Sequence, residues 1–299
     1  MIPVINCLLR SPPVLSRIVL FCGVAGAVLA AGCGGSGNSA DAVVAAFYPL
    51  AFAAEQVAPA GTEVAGLTPP GAEPHDLELS ARDVEEVRAA ELVVYAGGGF
   101  QPAVEDAVAG RSGRSVDVLS VVDLLQAGEH GGTGADPHVW LDPVRYARIA
   151  RAIATELGRP EAADAFVERL EELDGEYMRG LARCDRREVV TSHTAFAYLA
   201  DRYDLEQVSL AGVTPEAEPD ARGIVRLVRE VRESGATTVF FEPLVSSRLA
   251  ETVAREAGVA TAALDPLEGP TSEQADAGAD YFSVMRENLA ALRTALGCT

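Results

Sequence analysis

From Asp41 onward the chain alternates short apolar runs with amphipathic stretches, and it does so on both sides of one long amphipathic segment. Alternation of this kind is the pattern of layered α/β folds, in which each strand feeds a helix that packs back on the sheet. The first half reads as strands at 43–47, 63–67, 92–95 and 115–119, with helices at 49–58, 81–90 and 143–157. Pro49 suits a first helical turn, Ser80 with Asp83 three residues on makes a capping box, and Gly158 stops the last helix. The second half reads as strands at 188–191, 207–210, 237–241 and 259–264, with helices at 194–203, 220–233, 246–257 and a long closing helix at 273–296. Between them Phe166, Leu170, Leu173, Tyr177 and Leu181 recur at three- and four-residue steps, so a helix opened by Pro160 runs from Glu161 to about Ala182. The expected fold is α/β: a lobe at 41–158, a linking helix within 159–184 and a second lobe at 185–299. Each lobe is expected to hold a four-stranded, mainly parallel sheet flanked by helices. No sequence repeat relates the two halves.

With 48% hydrophobic residues, the 299-residue chain has ample material for such cores. The N-terminus has a different character. Arg10 and Arg17 precede an apolar run from Ile18 to Ala31 that ends in Ala30-Ala31-Gly32-Cys33. A basic start, a short apolar stretch and small residues before a cleavage point describe an export leader, too short to span a bilayer comfortably. Cleavage before Cys33 leaves a cysteine able to carry lipid, so residues 1–33 are excluded from the fold. Gly34 to Ala40 then forms a flexible tether. The expectation is a monomer outside the cytoplasm, touching the membrane through its lipid alone.

Losing Arg10 and Arg17 with the leader moves the formal charge from −20 to −22, and the sequence contains no lysine. An acidic surface repels nucleic acid and anionic headgroups, and the missing lysine excludes Schiff-base chemistry and a P-loop. Cys7 and Cys22 also leave with the leader, so Cys184 and Cys298 are the cysteines of the folded part. In an oxidising compartment they are expected to pair.

Three of the four histidines lie in segments that read as strand or loop ends: Glu73-Pro74-His75-Asp76, Asp136-Pro137-His138-Val139 and Thr191-Ser192-His193-Thr194. A fourth segment, Leu264-Asp265-Pro266-Leu267-Glu268, adds carboxylates. Ligands of open α/β sheets sit beyond the carboxyl ends of strands, so these residues are candidates for one site in a cleft between lobes. Three imidazoles and one carboxylate make a borderline-soft, four-coordinate set suited to Zn²⁺, whereas Mn²⁺ prefers more oxygen. His75, His138, His193 and Asp265 are the expected ligands. Glu73, Asp76, Asp136 and Asp142 are candidates to orient the rings. His130, in the glycine-rich loop, reads as a solvated residue, the alternative being an auxiliary role in metal capture.

The segments GAEPHDLELSARD (71–83), DPHVWLDP (136–143), TSHTAFAYLADRYDL (191–205), GVTPEAEPDARGI (212–224) and FFEPLVSSRLAETVAREAGV (240–259) resemble the zinc-binding lipoproteins of bacterial metal ABC importers, the cluster A-I type. The resemblance runs from about Asp41 to Cys298. It implies two α/β lobes bridged by a rigid helix, little closure around the metal, and delivery of the ion to a membrane permease. It carries ligation onto His75, His138 and His193; manganese-binding relatives commonly have glutamate where His193 stands. For the fourth ligand it allows either Asp265 or Glu268, and Asp265 is preferred as closest to the strand end. The chain departs from many zinc members in lacking a long His-rich loop, since 126–135 is short and holds His130 alone. No catalysis is implied. The alternatives are a manganese carrier, a zinc hydrolase, against which the absence of HExxH counts, and a metal-dependent surface adhesin.

Overall fold

Among the described residues eight short strands form two four-stranded sheets, and both sheets have the same order. The computed structural model describes residues 42–125, 136–211 and 221–299. The leader, Cys33, the tether, Asp41, the loop with His130 and most of the GVTPEAEPDARGI segment lie outside the described residues.

The N-terminal sheet comprises β1 (Val43–Ala45), β2 (Val64–Gly66), β3 (Leu92–Tyr95) and β4 (Arg114–Asp117), in the order β2-β1-β3-β4. The C-terminal sheet comprises β5 (Glu188–Thr191), β6 (Glu206–Ser209), β7 (Thr238–Phe241) and β8 (Ala260–Ala263), in the order β6-β5-β7-β8. Every described pairing is parallel. Parallel neighbours require crossover connections, and these are the helices that the alternating sequence calls for.

In the first half the helices are α1 (Tyr48–Val57), α2 (Ala81–Ala89), α3 (Pro102–Ala109) and α4 (Pro143–Glu156). Ser80 and Asp83 form the expected capping box on α2, and the Asp142 carboxylate accepts from the backbone N–H groups of Val144 and Arg145 at the start of α4. Helix α3 does not appear in the sequence reading. It is only eight residues long and follows Gly97-Gly98-Gly99, whose turn chemistry masks its start.

The connecting segment begins as a 3₁₀ turn at Pro160–Ala163 and continues as α5 (Asp164–Gly180). Phe166, Leu170, Leu173 and Tyr177 are all buried, so the apolar stripe read from spacing is the packed face. The second half adds α6 (Ala197–Tyr203), α7 (Ala221–Ser234), α8 (Arg248–Ala257), α9 (Ser272–Ala277) and α10 (Tyr281–Leu296). The single closing helix expected at 273–296 is therefore two helices. Gly278 takes a left-handed conformation that ends α9, and the Asp280 side chain caps α10.

Two helices, α5 and α10, join the halves. Tyr177 of α5 donates its hydroxyl to the Met285 carbonyl of α10 at 2.6 Å, and Asp174 accepts two hydrogen bonds from Arg202 of α6. The main core runs continuously from the first sheet through α5 and α10 to Val189 and Phe240 on the near face of the second sheet. Val190 and Val239, the next or preceding residues on the same strands, point into a smaller core under α7 and α8. This is the two-residue period of a strand buried on both faces. Cys184 and Cys298 form a disulfide that ties the chain beyond α5 to the residue pair after α10.

Candidate metal centre

His193 and Glu242 lie just beyond β5 and β7, the adjacent central strands at which the C-terminal strand order reverses. In α/β sheets this switch point opens a crevice beyond the carboxyl ends of the strands. His138 enters the same crevice from the N-terminal half, in the turn that precedes α4, and His75 sits on a 3₁₀ turn at Pro74–Asp76. The Glu73 carboxylate accepts from the His75 backbone N–H and caps that turn.

The three imidazole rings converge, with centroids 5.3 to 5.9 Å apart. One carboxylate oxygen, Oε1 of Glu268, lies 2.8 Å from His138 Nε2, 3.1 Å from His75 Nε2 and 3.6 Å from His193 Nε2. One donor atom from each of the four residues falls within 4.8 Å of all the others. A tetrahedral Zn²⁺ with bonds of about 2.0–2.1 Å spaces its donors roughly 3.4 Å apart, so the cluster needs little adjustment to hold one ion.

Asp265 does not take part, contrary to the sequence expectation. Its carboxylate accepts from the Leu267 backbone N–H at 2.8 Å and from the Gln274 amide at 2.7 Å. The chain then turns back through Leu267, at φ 58°, and this turn delivers Glu268 to the histidines. Closeness to the strand end was the wrong criterion, because a left-handed residue redirects the loop and nothing in the local sequence announces it.

The remaining polar contacts fix the rings. His138 Nδ1 is 2.8 Å from Asp136 Oδ1, and His193 Nδ1 is 2.6 Å from Glu242 Oε2. These carboxylates are buried, with Asp136 at 0% and Glu242 at 2% exposure, so they are committed to orientation and not to solvent. Of the expected orienting acids, Asp136 does this, Asp142 caps α4 and pairs with Arg145, and Asp76 is exposed. Glu242 was missed. It could have been found by the rule that selected His193, since it follows a strand directly in Phe240-Phe241-Glu242-Pro243. Trp140 was missed too: its indole N–H donates to the Pro266 carbonyl at 2.7 Å, tying the His138 turn to the Glu268 loop.

Electrostatics follow from burial among opposed charges. Burial alone would push the Glu268 carboxyl up, but His138, His193 and His75 reverse this and hold it well below the usual range. Burial would likewise lower His138, yet Asp136 and Glu268 raise it to about 9. His193 rises well above its ordinary value against the same opposing burial, through Glu242 and Glu268. Burial, reinforced by Glu268, raises Glu73 to about 8. The imidazoles of His138 and His193 therefore both hold a proton more tightly than a free imidazole does. His193 Nε2 is buried without a hydrogen-bond partner among the described residues, and a nitrogen left this way in the centre of three other donors is what a coordinated ion would satisfy.

The fold and this site define a two-lobed α/β protein with a His₃-carboxylate metal pocket between its sheets. The chain belongs to the family described as zinc-uptake complex component A, periplasmic, whose profile matches residues 43–295. It is 36% identical to the zinc-binding protein AdcA of Streptococcus pyogenes serotype M6, over 84% of this chain and 55% of that one. The high-affinity zinc uptake system protein ZnuA of Bacillus subtilis is 32% identical, over 90% of this chain and 94% of that protein. Among solved structures, the Zn(II)-bound ZnuA-like domain of Streptococcus pneumoniae AdcA superposes with a TM-score of 0.72 at 34% identity, covering 85% of this chain and 98% of that one. The chain therefore spans about half the length of the AdcA proteins it matches.

Proposed function

We propose that this protein captures one Zn²⁺ ion outside the membrane, holds it with His75, His138, His193 and Glu268, and delivers it to the permease of a metal ABC importer. The observation that carries this reading is the convergence of four donor atoms within 4.8 Å from segments spread over nearly two hundred residues. Three imidazoles and one carboxylate match zinc in number and softness, and Mn²⁺ would leave its demand for oxygen unmet. Membership of a zinc-uptake family supports the same ion.

Binding without catalysis is the companion reading. A catalytic zinc keeps one position open for water, whereas Glu268 supplies a fourth protein donor here. Binding is coupled to proton release, because the metal takes neutral imidazole while His138 and His193 both hold a proton more tightly than a free imidazole does. Release then needs a docked partner that favours a conformation with weaker ligation. Attachment through lipid on Cys33 would keep the carrier beside its permease. No helix among the described residues is long and apolar enough to cross a membrane.

The test is competitive metal binding. Chelator-stripped protein titrated with Zn²⁺ against Mn²⁺, with bound metal determined by elemental analysis, should retain one zinc per chain in the presence of excess manganese. A preference for Mn²⁺, or a Zn²⁺ affinity unchanged in His193→Ala, would defeat the proposal.

A further inference from the structure

We propose that Asp265, which does not touch the metal pocket, is a positioning residue: it holds Leu267 in the left-handed turn that presents Glu268 to the three imidazoles. The inference rests on Glu268 being the fourth ligand and goes beyond that reading by explaining what places it. Asp265 Oδ1 accepts from the Leu267 N–H two residues on, closing an Asx turn. Its other oxygen accepts from Gln274 Nε2, while Gln274 Oε1 accepts from the Thr271 N–H at the start of α9. That second bond fixes which way the amide faces. Asn288 of α10 then grips the Asp265 backbone at both groups: its Oδ1 accepts from the Asp265 N–H at 2.9 Å, and its Nδ2 donates to the Asp265 carbonyl at 2.7 Å.

All this apparatus surrounds a residue whose conformation needs it. Leu267 has φ 58°, a region in which the Cβ of an L-residue is crowded and which asparagine and glycine occupy far more readily. The leucine side chain is 2% exposed, so its identity answers to packing and its backbone must be forced. Among the described residues Asp204, which ends α6, is the only other non-glycine with positive φ, and it is of a type that tolerates it. Strain held in place by surrounding contacts belongs beside functional groups, and the next residue is Glu268. Without the Asx turn, Leu267 relaxes to negative φ and the Glu268 carboxylate is carried away from the rings.

The experiment measures Zn²⁺ affinity of the full chain and five variants, with Co²⁺ absorption reporting coordination. Asp265→Ala should lose about 10–100-fold in affinity, the range for groups that orient ligands. Its Co²⁺ band should weaken as the fourth donor leaves the tetrahedral set. Adding Leu267→Gly to that variant should restore most of the affinity, because glycine takes positive φ unforced. Asp265→Asn should fall between the parent and Asp265→Ala, because its Oδ1 still closes the Asx turn while its amide nitrogen meets the Gln274 Nε2 donor without a hydrogen bond. Leu267→Val keeps Asp265 but resists the left-handed region, so it should fall like Asp265→Ala and serves if that variant does not fold. Parental affinity in Asp265→Ala, or in Leu267→Val if Asp265→Ala does not fold, or no recovery on adding Leu267→Gly, would overturn the proposal. Glu268→Ala separates the two readings: parental affinity there would remove Glu268 as a ligand, whereas a large loss there with none in Asp265→Ala would remove only the positioning role.

Discussion

His138 and His193 are held differently from His75. Each of the first two is wholly buried and has a buried carboxylate against its Nδ1. His75 stands on a short 3₁₀ turn between an exposed Gly71 and an exposed Asp76, with its ring edge-on to Phe100 at 4.6 Å. Among the described residues no carboxylate pairs with its second nitrogen. The difference teaches that the pocket has a preset side, fixed by residues in or next to the main core, and an adjustable side on a surface loop.

The largest effect should come from removing donors on the preset side. His138→Ala, His193→Ala and Glu268→Ala should each weaken Zn²⁺ binding by more than about 100-fold, beyond the range for outer groups, as measured by competition with a chromophoric chelator. Next come the carboxylates that set the rings: Asp136→Asn and Glu242→Gln should each cost about 10–100-fold. Phe100→Leu, on the His75 side, should cost less than about 10-fold, since it removes ring packing and no charge. A loss with Phe100→Leu equal to that with Glu242→Gln would erase the proposed division.

pH acts on the preset side in two opposed ways. In the metal-free protein His138 has a pKa of about 9 against 6.5 for a free imidazole, so its protonation stabilises the fold fully below about 6.5, and that contribution disappears as pH rises through 9. Zinc affinity should move the other way and climb with pH up to about 9, as the proton to be displaced becomes easier to remove. Thermal melting of apo and zinc-loaded protein at pH 6, 7.5 and 9 should therefore show a zinc-induced increment that grows with pH. A flat increment would contradict protons on the preset imidazoles. The smallest effect on binding should come from the disulfide. Cys184→Ser with Cys298→Ser should lower stability by about 2–4 kcal/mol while leaving zinc affinity nearly unchanged, because the bridge lies at the far ends of α5 and α10.

Much of this molecule is legible in its sequence, and the illegible parts have particular causes. Strand and helix alternation, the Ser80 capping box and the stripe on α5 all reflect local periodicity, which side chains record directly. Bringing His75, His138 and His193 together required only the rule that ligands gather beyond strand ends. Asp265 and Glu268 could not be separated that way, because their roles depend on one backbone angle at Leu267 and on amide partners from Gln274 and Asn288, distant in sequence or in a different helix. The break between α9 and α10 was readable in Gly278 and Asp280, but apolar continuity across 273–296 concealed it. Trp140 looks like any core aromatic until its indole N–H is seen to reach the Pro266 carbonyl.

X-ray absorption at the zinc edge of the loaded protein tests the central claim most directly. The account predicts one zinc per chain with four light-atom neighbours at about 2.0–2.1 Å, three of them showing the outer-shell scattering of imidazole, and one neighbour lost in Glu268→Ala. Fewer than three imidazoles, or a first shell unchanged by Glu268→Ala, would contradict it.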